Sequence, residues 1–382
     1  MPTLRHKLNS CSLPLNYISI VILLLTGSIQ MFAQPHNETN IAQPQVEIAG
    51  TQMLKIFSSI TNQEYVLDIN LPQGYDDTTK TFPVLFHIDA QWDFPLVQAV
   101  YGQEYYDGFV PGIVIVGITW GGTNPDYDKL RAHDLTPTDV GGKGQHGNAA
   151  NFLSFIKNEL IPFIESKYRV KKDDRALMGS SLGGLFTLYT MFTEPGLFNR
   201  FVLTSPAINW DNELMFSIMK KFGEKKDELP AKLFMAIGGY ENVPQFQKFA
   251  DELRAMDLKG LEMQTKVLEG MGHSGGKAEG YSRGLQFVYS YEPLHLASEI
   301  LDQYVGEYEI GPMGYVKLER ENDHLIGSVP DNLNIVLYAK TETDFYTKGA
   351  YLIVHFQKDE TGKVTGFQAE QYDGSFVGKK VK

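Results

Sequence analysis

The residues able to do chemistry in this chain gather in three short stretches. The first is Gly179-Ser180-Ser181-Leu182-Gly183-Gly184. It contains Gly-x-Ser-x-Gly, the residue set of a strand-to-helix turn that lifts a serine hydroxyl clear of the backbone. Glycines two before and two after the serine leave room where side chains would collide. A helix starting there places backbone N–H groups and the positive end of its dipole beneath the hydroxyl, where they can hold a developing oxyanion. In a chain with 36 glycines the pattern arises readily by chance. Context gives it weight: Arg175 to Met178 reads as a short buried strand, and Leu182 to Phe192 as a helix.

A serine nucleophile needs a base and a carboxylate that orients the base. His273, in Gly270-Met-Gly-His273-Ser-Gly-Gly, follows a predicted strand and is the only histidine between the serine and His295. It is the expected base. The acid should leave the end of the strand predicted at Leu233 to Ile237. Glu241 does so; Asp211, after the preceding strand, is the rival, and Asp251 and Asp257 fall on a predicted helix as solvated carboxylates. The oxyanion hole requires two N–H groups. One is that of Leu182; the other is that of Ala90 or Gln91, in the loop Asp89-Ala90-Gln91-Trp92. The three tryptophans, Trp92, Trp120 and Trp210, each follow a predicted strand on the face where the serine emerges. They either cap the core or wall a pocket for an acyl or aryl group. Arg131 lies in a long loop. It either binds an anionic or catecholate group or pairs with Asp134 to hold the loop.

These residues need a frame. Met53 to Ile60 and Tyr65 to Leu71 alternate apolar and polar residues around a hairpin turn. Phe82 to Ile88 and Ile113 to Ile118 are continuous apolar runs, as expected of strands buried on both faces. Asn148 to Tyr168 reads as a long amphipathic helix. Strands at Phe201 to Thr204, Leu233 to Ile237 and Glu262 to Leu268 then alternate with helices at Asn212 to Phe222, Pro244 to Met256 and Gly280 to Tyr291. That alternation predicts an α/β fold with a mostly parallel sheet covered on both sides, its active site beyond the carboxyl ends of the strands. From Tyr304 onward the pattern becomes six short alternating segments with turn signals, predicting a small antiparallel all-β domain.

The 382 residues, 43% hydrophobic and 21% charged, are ample for a full core. The net charge of −12 and the absence of a basic stripe argue against a nucleic-acid partner. Arg5 to Lys7, the apolar run Ile18 to Leu25 and Ala33 have the order of a secretory signal peptide, so a secreted or periplasmic location is expected, with no stable membrane span once it is removed. The lone cysteine, Cys11, lies in this leader, leaving a mature chain without disulfides or thiolate sites. No histidine pair has helical metal spacing. Gly270-x-Gly272-x-x-Gly275 matches a dinucleotide loop only formally, because it encloses the histidine. Ser154-x-x-Lys157 and Ser217-x-x-Lys220 lack the Lys-Thr-Gly that would complete a penicillin-binding pattern. Neither a metal nor a cofactor is called for. The expected divisions are 1–33 signal peptide, 34–50 flexible N-terminus, 51–295 catalytic domain and 296–382 β domain.

The combination of Phe82 to Trp92, Asp134-Leu-Thr-Pro-Thr138, Asn158 to Tyr168, Gly179 to Gly184 and Thr204-Ser-Pro206 resembles one branch of the α/β-hydrolases. That branch includes siderophore esterases, S-formylglutathione hydrolases, feruloyl esterases and mycolyltransferases. The resemblance covers roughly residues 50–292. It implies an α/β-hydrolase fold, Ser181 as nucleophile and His273 as base. Asp89-Ala90 stands where the branch more often has His-Gly or Asp-Gly. Residues 304–382 resemble a β module appended to secreted bacterial hydrolases. The expected activity is hydrolysis of a small-molecule or saccharide ester. Acyl transfer to a sugar or glycan uses the same triad, and a ligand-binding protein with an inert hydrolase domain is a reading from another class.

Overall fold

The computed structural model describes residues 47–290, 293–329, 333–372 and 374–382. The leader and all but the end of the expected flexible N-terminus lie outside these residues. Among the described residues no helix is long and apolar enough to cross a membrane.

The first hairpin forms as the alternation requires. Strand β1 (Thr51–Ser58) pairs antiparallel with β2 (Gln63–Asn70), whose Tyr65, Leu67 and Ile69 point into the core. The apolar runs become β3 (Phe82–Ile88) and β4 (Val114–Trp120), buried at every position. A sheet strand without one polar face must be covered on both sides. Helices provide that cover for β6 (Arg200–Thr204) and for the later halves of β5 (Val170–Ser180) and β7 (Glu228–Gly238), whereas β8 (Lys259–Leu268), at the sheet edge, alternates partly buried and exposed residues. The eight strands are ordered β1-β2-β4-β3-β5-β6-β7-β8, and the six from β4 to β8 run parallel.

Two helices arise where the sequence suggests loops. Helix α1 (Ala90–Tyr106) follows β3 directly, so Ala90 and Gln91 begin a helix instead of lying in a loop. Its buried Phe94, Val97, Tyr101 and Tyr105 have helical spacing, masked in the sequence by Pro95 and Gly102. Helix α2 (Tyr127–Leu135) carries Arg131. The expected long helix is interrupted: α3 (Ala149–Phe155) and α4 (Ile161–Lys167) are joined by one π-helical stretch, Ile156–Leu160. Helices α5 (Leu182–Thr193), α6 (Trp210–Gly223), α7 (Val243–Arg254) and α8 (Lys277–Val288) fall near their expected places.

A short α9 (Ser298–Leu301) leads to the C-terminal domain, which is a closed antiparallel barrel of eight strands. Six match the predicted segments: β10 (Tyr315–Glu321), β11 (His324–Val329), β12 (Leu333–Ala339), β13 (Asp344–Tyr346), β14 (Leu352–Lys358) and β15 (Val364–Gln371). The other two, β9 (Gly306–Glu309) and β16 (Gly374–Lys380), pair with each other and close the barrel. Closure removes the exposed edges an open sheet would carry. The interior is filled by Tyr304, Tyr308, Phe345, Phe356 and Phe367.

Candidate active site

The backbone at Ser181 has φ 57° and ψ −117°, a strained conformation for a residue with a side chain. It is locked by Ser181 N–H donating to Thr204 O at 3.1 Å, and by Ala207 N–H donating to Ser181 O at 3.0 Å. Gly179 is required here: a Cβ would lie 2.5 Å from the carbonyl of Gly183. Strand β5, the turn and α5 therefore set the serine at the helix N-terminus, and the N–H of Leu182 opens that helix.

His273 follows β8 in the glycine-rich loop and is half exposed. Its Nδ1 lies 2.6 Å from Glu241 Oε2. The other carboxylate oxygen, Oε1, accepts from Ser205 Oγ at 2.5 Å and from Gly238 N–H at 2.9 Å. Burial works to raise the pKa of Glu241. Donation from His273, Ser205 and Gly238 outweighs it and holds the carboxyl below its usual range. Ser181, His273 and Glu241 line one cavity of about 300 Å³, with Ile237 and Phe246 on its apolar side and Asn209 among its polar groups. Asp211 is elsewhere: it is one of three consecutive left-handed residues, 211–213, at the start of α6, and its carboxylate meets the amide of Asn212.

Ala90 and Gln91 occupy the first turn of α1, whose initial N–H groups have no acceptor within the helix. Asp89, before them, is left-handed at φ 66° and almost fully buried. Arg131 clamps it from α2: Nε donates to Oδ1 at 3.0 Å and one terminal nitrogen to Oδ2 at 2.7 Å. The guanidinium also sits 5.4 Å from the centre of the Trp92 ring. The partner of Arg131 is thus Asp89, not Asp134. Asp134 is instead a buried hub. It accepts from Tyr65 and Trp120 on Oδ2, and from Asn148 and the adjacent His133 on Oδ1. Burial alone would raise its pKa, but these donors hold it below the ordinary value.

The tryptophans divide. Trp120 is 1% exposed with its N–H on Asp134, so it is a core residue and not a pocket wall. Trp210 is half-buried, bonded to Thr138 Oγ1 at 3.1 Å and packed against His146. Trp92 is 48% exposed. Two residues escaped the sequence reading. Ser205 lies within the quoted Thr204-Ser-Pro206, but nothing local tells that its hydroxyl meets Glu241. Asp89 gave no sign that a residue 42 positions away would neutralise it.

The strand order, the serine turn after β5 and the histidine after β8 define the class: this is an α/β-hydrolase. The family described as Putative esterase matches residues 58–279, and the chain belongs to it. It is a carboxylic ester hydrolase of the serine type. A domain of unknown function (DUF3471) matches residues 293–381. The chain is 27% identical over 271 residues to the ferri-bacillibactin esterase BesA of Bacillus subtilis, covering 65% of this chain and 93% of that one. It is 29% identical over 201 residues to the siderophore triacetylfusarinine C esterase of Aspergillus fumigatus, covering 50% and 68%. The crystal structure of the BES protein from Bacillus cereus shares the fold, with a TM-score of 0.59 at 24% identity over 66% of this chain and all of that one.

Proposed function

We propose that the protein is a secreted or periplasmic esterase in which Ser181, His273 and Glu241 form the catalytic triad, and that its substrates are siderophore-type esters. The 2.6 Å contact between His273 and Glu241, beside the cavity that Ser181 lines, carries the reading. Ser181 Oγ attacks the ester carbonyl while His273 takes its proton and returns it to the leaving alcohol. Glu241 orients the imidazole and stabilises its charged form. The N–H of Leu182 and that of Ala90 or Gln91 receive the oxyanion. Water then attacks the acyl-enzyme by the same steps reversed. The curated relatives named as siderophore esterases support the substrate class. Trp92, exposed beside Arg131, is the aromatic surface offered to such a ligand.

Ser181→Ala tests the nucleophile: turnover of a short p-nitrophenyl ester is expected to fall at least about 10⁴-fold, with loss of fluorophosphonate labelling. Retained turnover refutes the assignment. A panel of ferric siderophores and feruloylated sugars ranks the substrates, and product analysis with alcohol acceptors separates hydrolysis from acyl transfer. Export predicts a mature chain starting at Gln34, read by N-terminal sequencing of the secreted or periplasmic product.

A further inference from the structure

The barrel docks on the hydrolase at the end of the sheet opposite the serine. Tyr351 N–H donates to Tyr106 O at 3.0 Å at the close of α1. Gly108, just beyond, has φ 74°, and a Cβ there would sit 2.5 Å from Ala350 O, so the two backbones touch. Gln73 Nε2 donates to Tyr372 O, and Lys80 Nζ lies 3.6 Å from Glu370 Oε2 across the seam. Phe82, the first residue of β3, faces this seam, whereas Ile88, the last, lies under the start of α5. Seven residues of strand separate the two ends by roughly 20 Å.

The seam is not closed. It holds a cavity of about 290 Å³ with walls from both domains. Three amides line it, Gln73, Gln368 and Gln371. The Nε2 of Gln73 is engaged by Tyr372 O, while the amides of Gln368 and Gln371 carry both donors and acceptors. Three tyrosines, Tyr105, Tyr351 and Tyr372, line it as one aromatic cluster, the buried Tyr105 ring lying 4.9 Å from Tyr351 and 5.9 Å from Tyr372, and Tyr106 is a further exposed ring 5.0 Å from Tyr372. The cavity's cation and anion, Lys80 and Glu370, face each other and cancel. Such a lining selects neither an anion nor a cation, and its amides would be orphaned by an apolar guest. It matches a neutral molecule with many hydroxyls and apolar ring faces, whose hydroxyls can hydrogen-bond the amides. Pockets for small ligands favour domain interfaces.

The geometry points to a second, non-catalytic site at the hydrolase–barrel seam that binds a neutral oligosaccharide. Both domains build it, so it exists only while the barrel stays docked. It needs neither Ser181 nor its partners, and it assigns the barrel the work of completing a holding site far from the chemistry.

The test uses the full chain, with xylopentaose, cellopentaose, maltopentaose and N-acetylchitopentaose as probes in ligand-observed NMR. At least one is expected to bind with a Kd on the order of 1 mM or tighter. The double variant Gln368→Ala, Gln371→Ala should weaken that binding at least about tenfold. Its turnover of a short p-nitrophenyl ester should stay within about twofold of wild type, which also certifies its fold. Binding should persist after Ser181 is blocked with a fluorophosphonate. The inference is overturned if no probe binds to about 10 mM, if the double variant binds as well as wild type, or if blocking Ser181 abolishes binding.

Discussion

The two ends of the central strands carry cavities of nearly equal volume, about 300 Å³ at the carboxyl end and about 290 Å³ at the amino end, built in opposite ways. At the carboxyl end several positive-φ positions carry side chains, Asp89, Ser181, Ser205 and the run Asp211 to Glu213, beside glycines such as Gly122 and Gly270. Each non-glycine residue held left-handed costs about 1–2 kcal/mol. Charges there are coupled asymmetrically, with carboxylates shared among several donors. At the amino end the positive-φ positions beside the seam are glycines, Gly74 and Gly108, and the charges simply cancel. Size therefore does not distinguish the cavity proposed to react from the one proposed to hold. Retained backbone strain and directed hydrogen bonds do, because only a reaction demands that a hydroxyl, an imidazole and a carboxylate stay in one geometry.

Substitutions can break this contrast, starting with the largest expected effect. Glu241→Gln should lower kcat about 10³–10⁴-fold on a p-nitrophenyl ester, since an amide neither fixes the histidine tautomer nor stabilises its charge. Asp211→Asn should stay within about twofold in the same assay. A reversal of these two results would move the acid to the start of α6.

Asp134→Asn bears on the support of the carboxyl end. Whichever way the new amide turns, two of the donors now on Asp134 meet an N–H₂ group. A loss of about 2–3 kcal/mol at neutral pH follows, measurable by urea unfolding. The folded carboxyl titrates below its unfolded value near 3.8. Its stabilisation is therefore complete above that value and is lost as pH falls through the lower folded value. The gap between wild type and variant should narrow only in that acid window.

Gly108→Ala attacks the other end, forcing a Cβ against Ala350 at an unfavourable φ. Thermal unfolding should register a loss of about 1–3 kcal/mol, while esterase kcat/KM at 25 °C is unchanged. A matching loss of turnover would show that the two ends are coupled. Ser205→Gly has the smallest effect. It removes the hydroxyl on Glu241 while relaxing φ 46°, so kcat should fall about tenfold with KM unchanged and no loss of stability. An unaffected kcat would leave Ser205 a purely structural turn residue.

Several of these features were open to reading in one dimension. The buried runs of β3 and β4, the alternation after residue 148, and the serine, glutamate and histidine that follow β5, β7 and β8 are local patterns. Side-chain spacing alone specifies them. Helix α1 was hidden although its buried residues keep helical spacing, because Pro95 and Gly102 imitate a loop. Strands β9 and β16 were hidden because a four-residue segment and one with two glycines and two lysines become strands only by pairing with each other and with their neighbours.

The sequence by itself determined most of the order of elements and offered the serine, the histidine and the rival carboxylates of the proposed triad, since periodicity and turn residues act within a few positions of the chain. Tertiary structure alone decided that Glu241 and not Asp211 meets His273, that Arg131 is spent on Asp89, that Trp120 is core, and that a barrel closes and docks behind the sheet. Those outcomes depend on contacts between residues dozens of positions apart. Their free energy comes from burial and hydrogen bonding that exist only once the chain has folded.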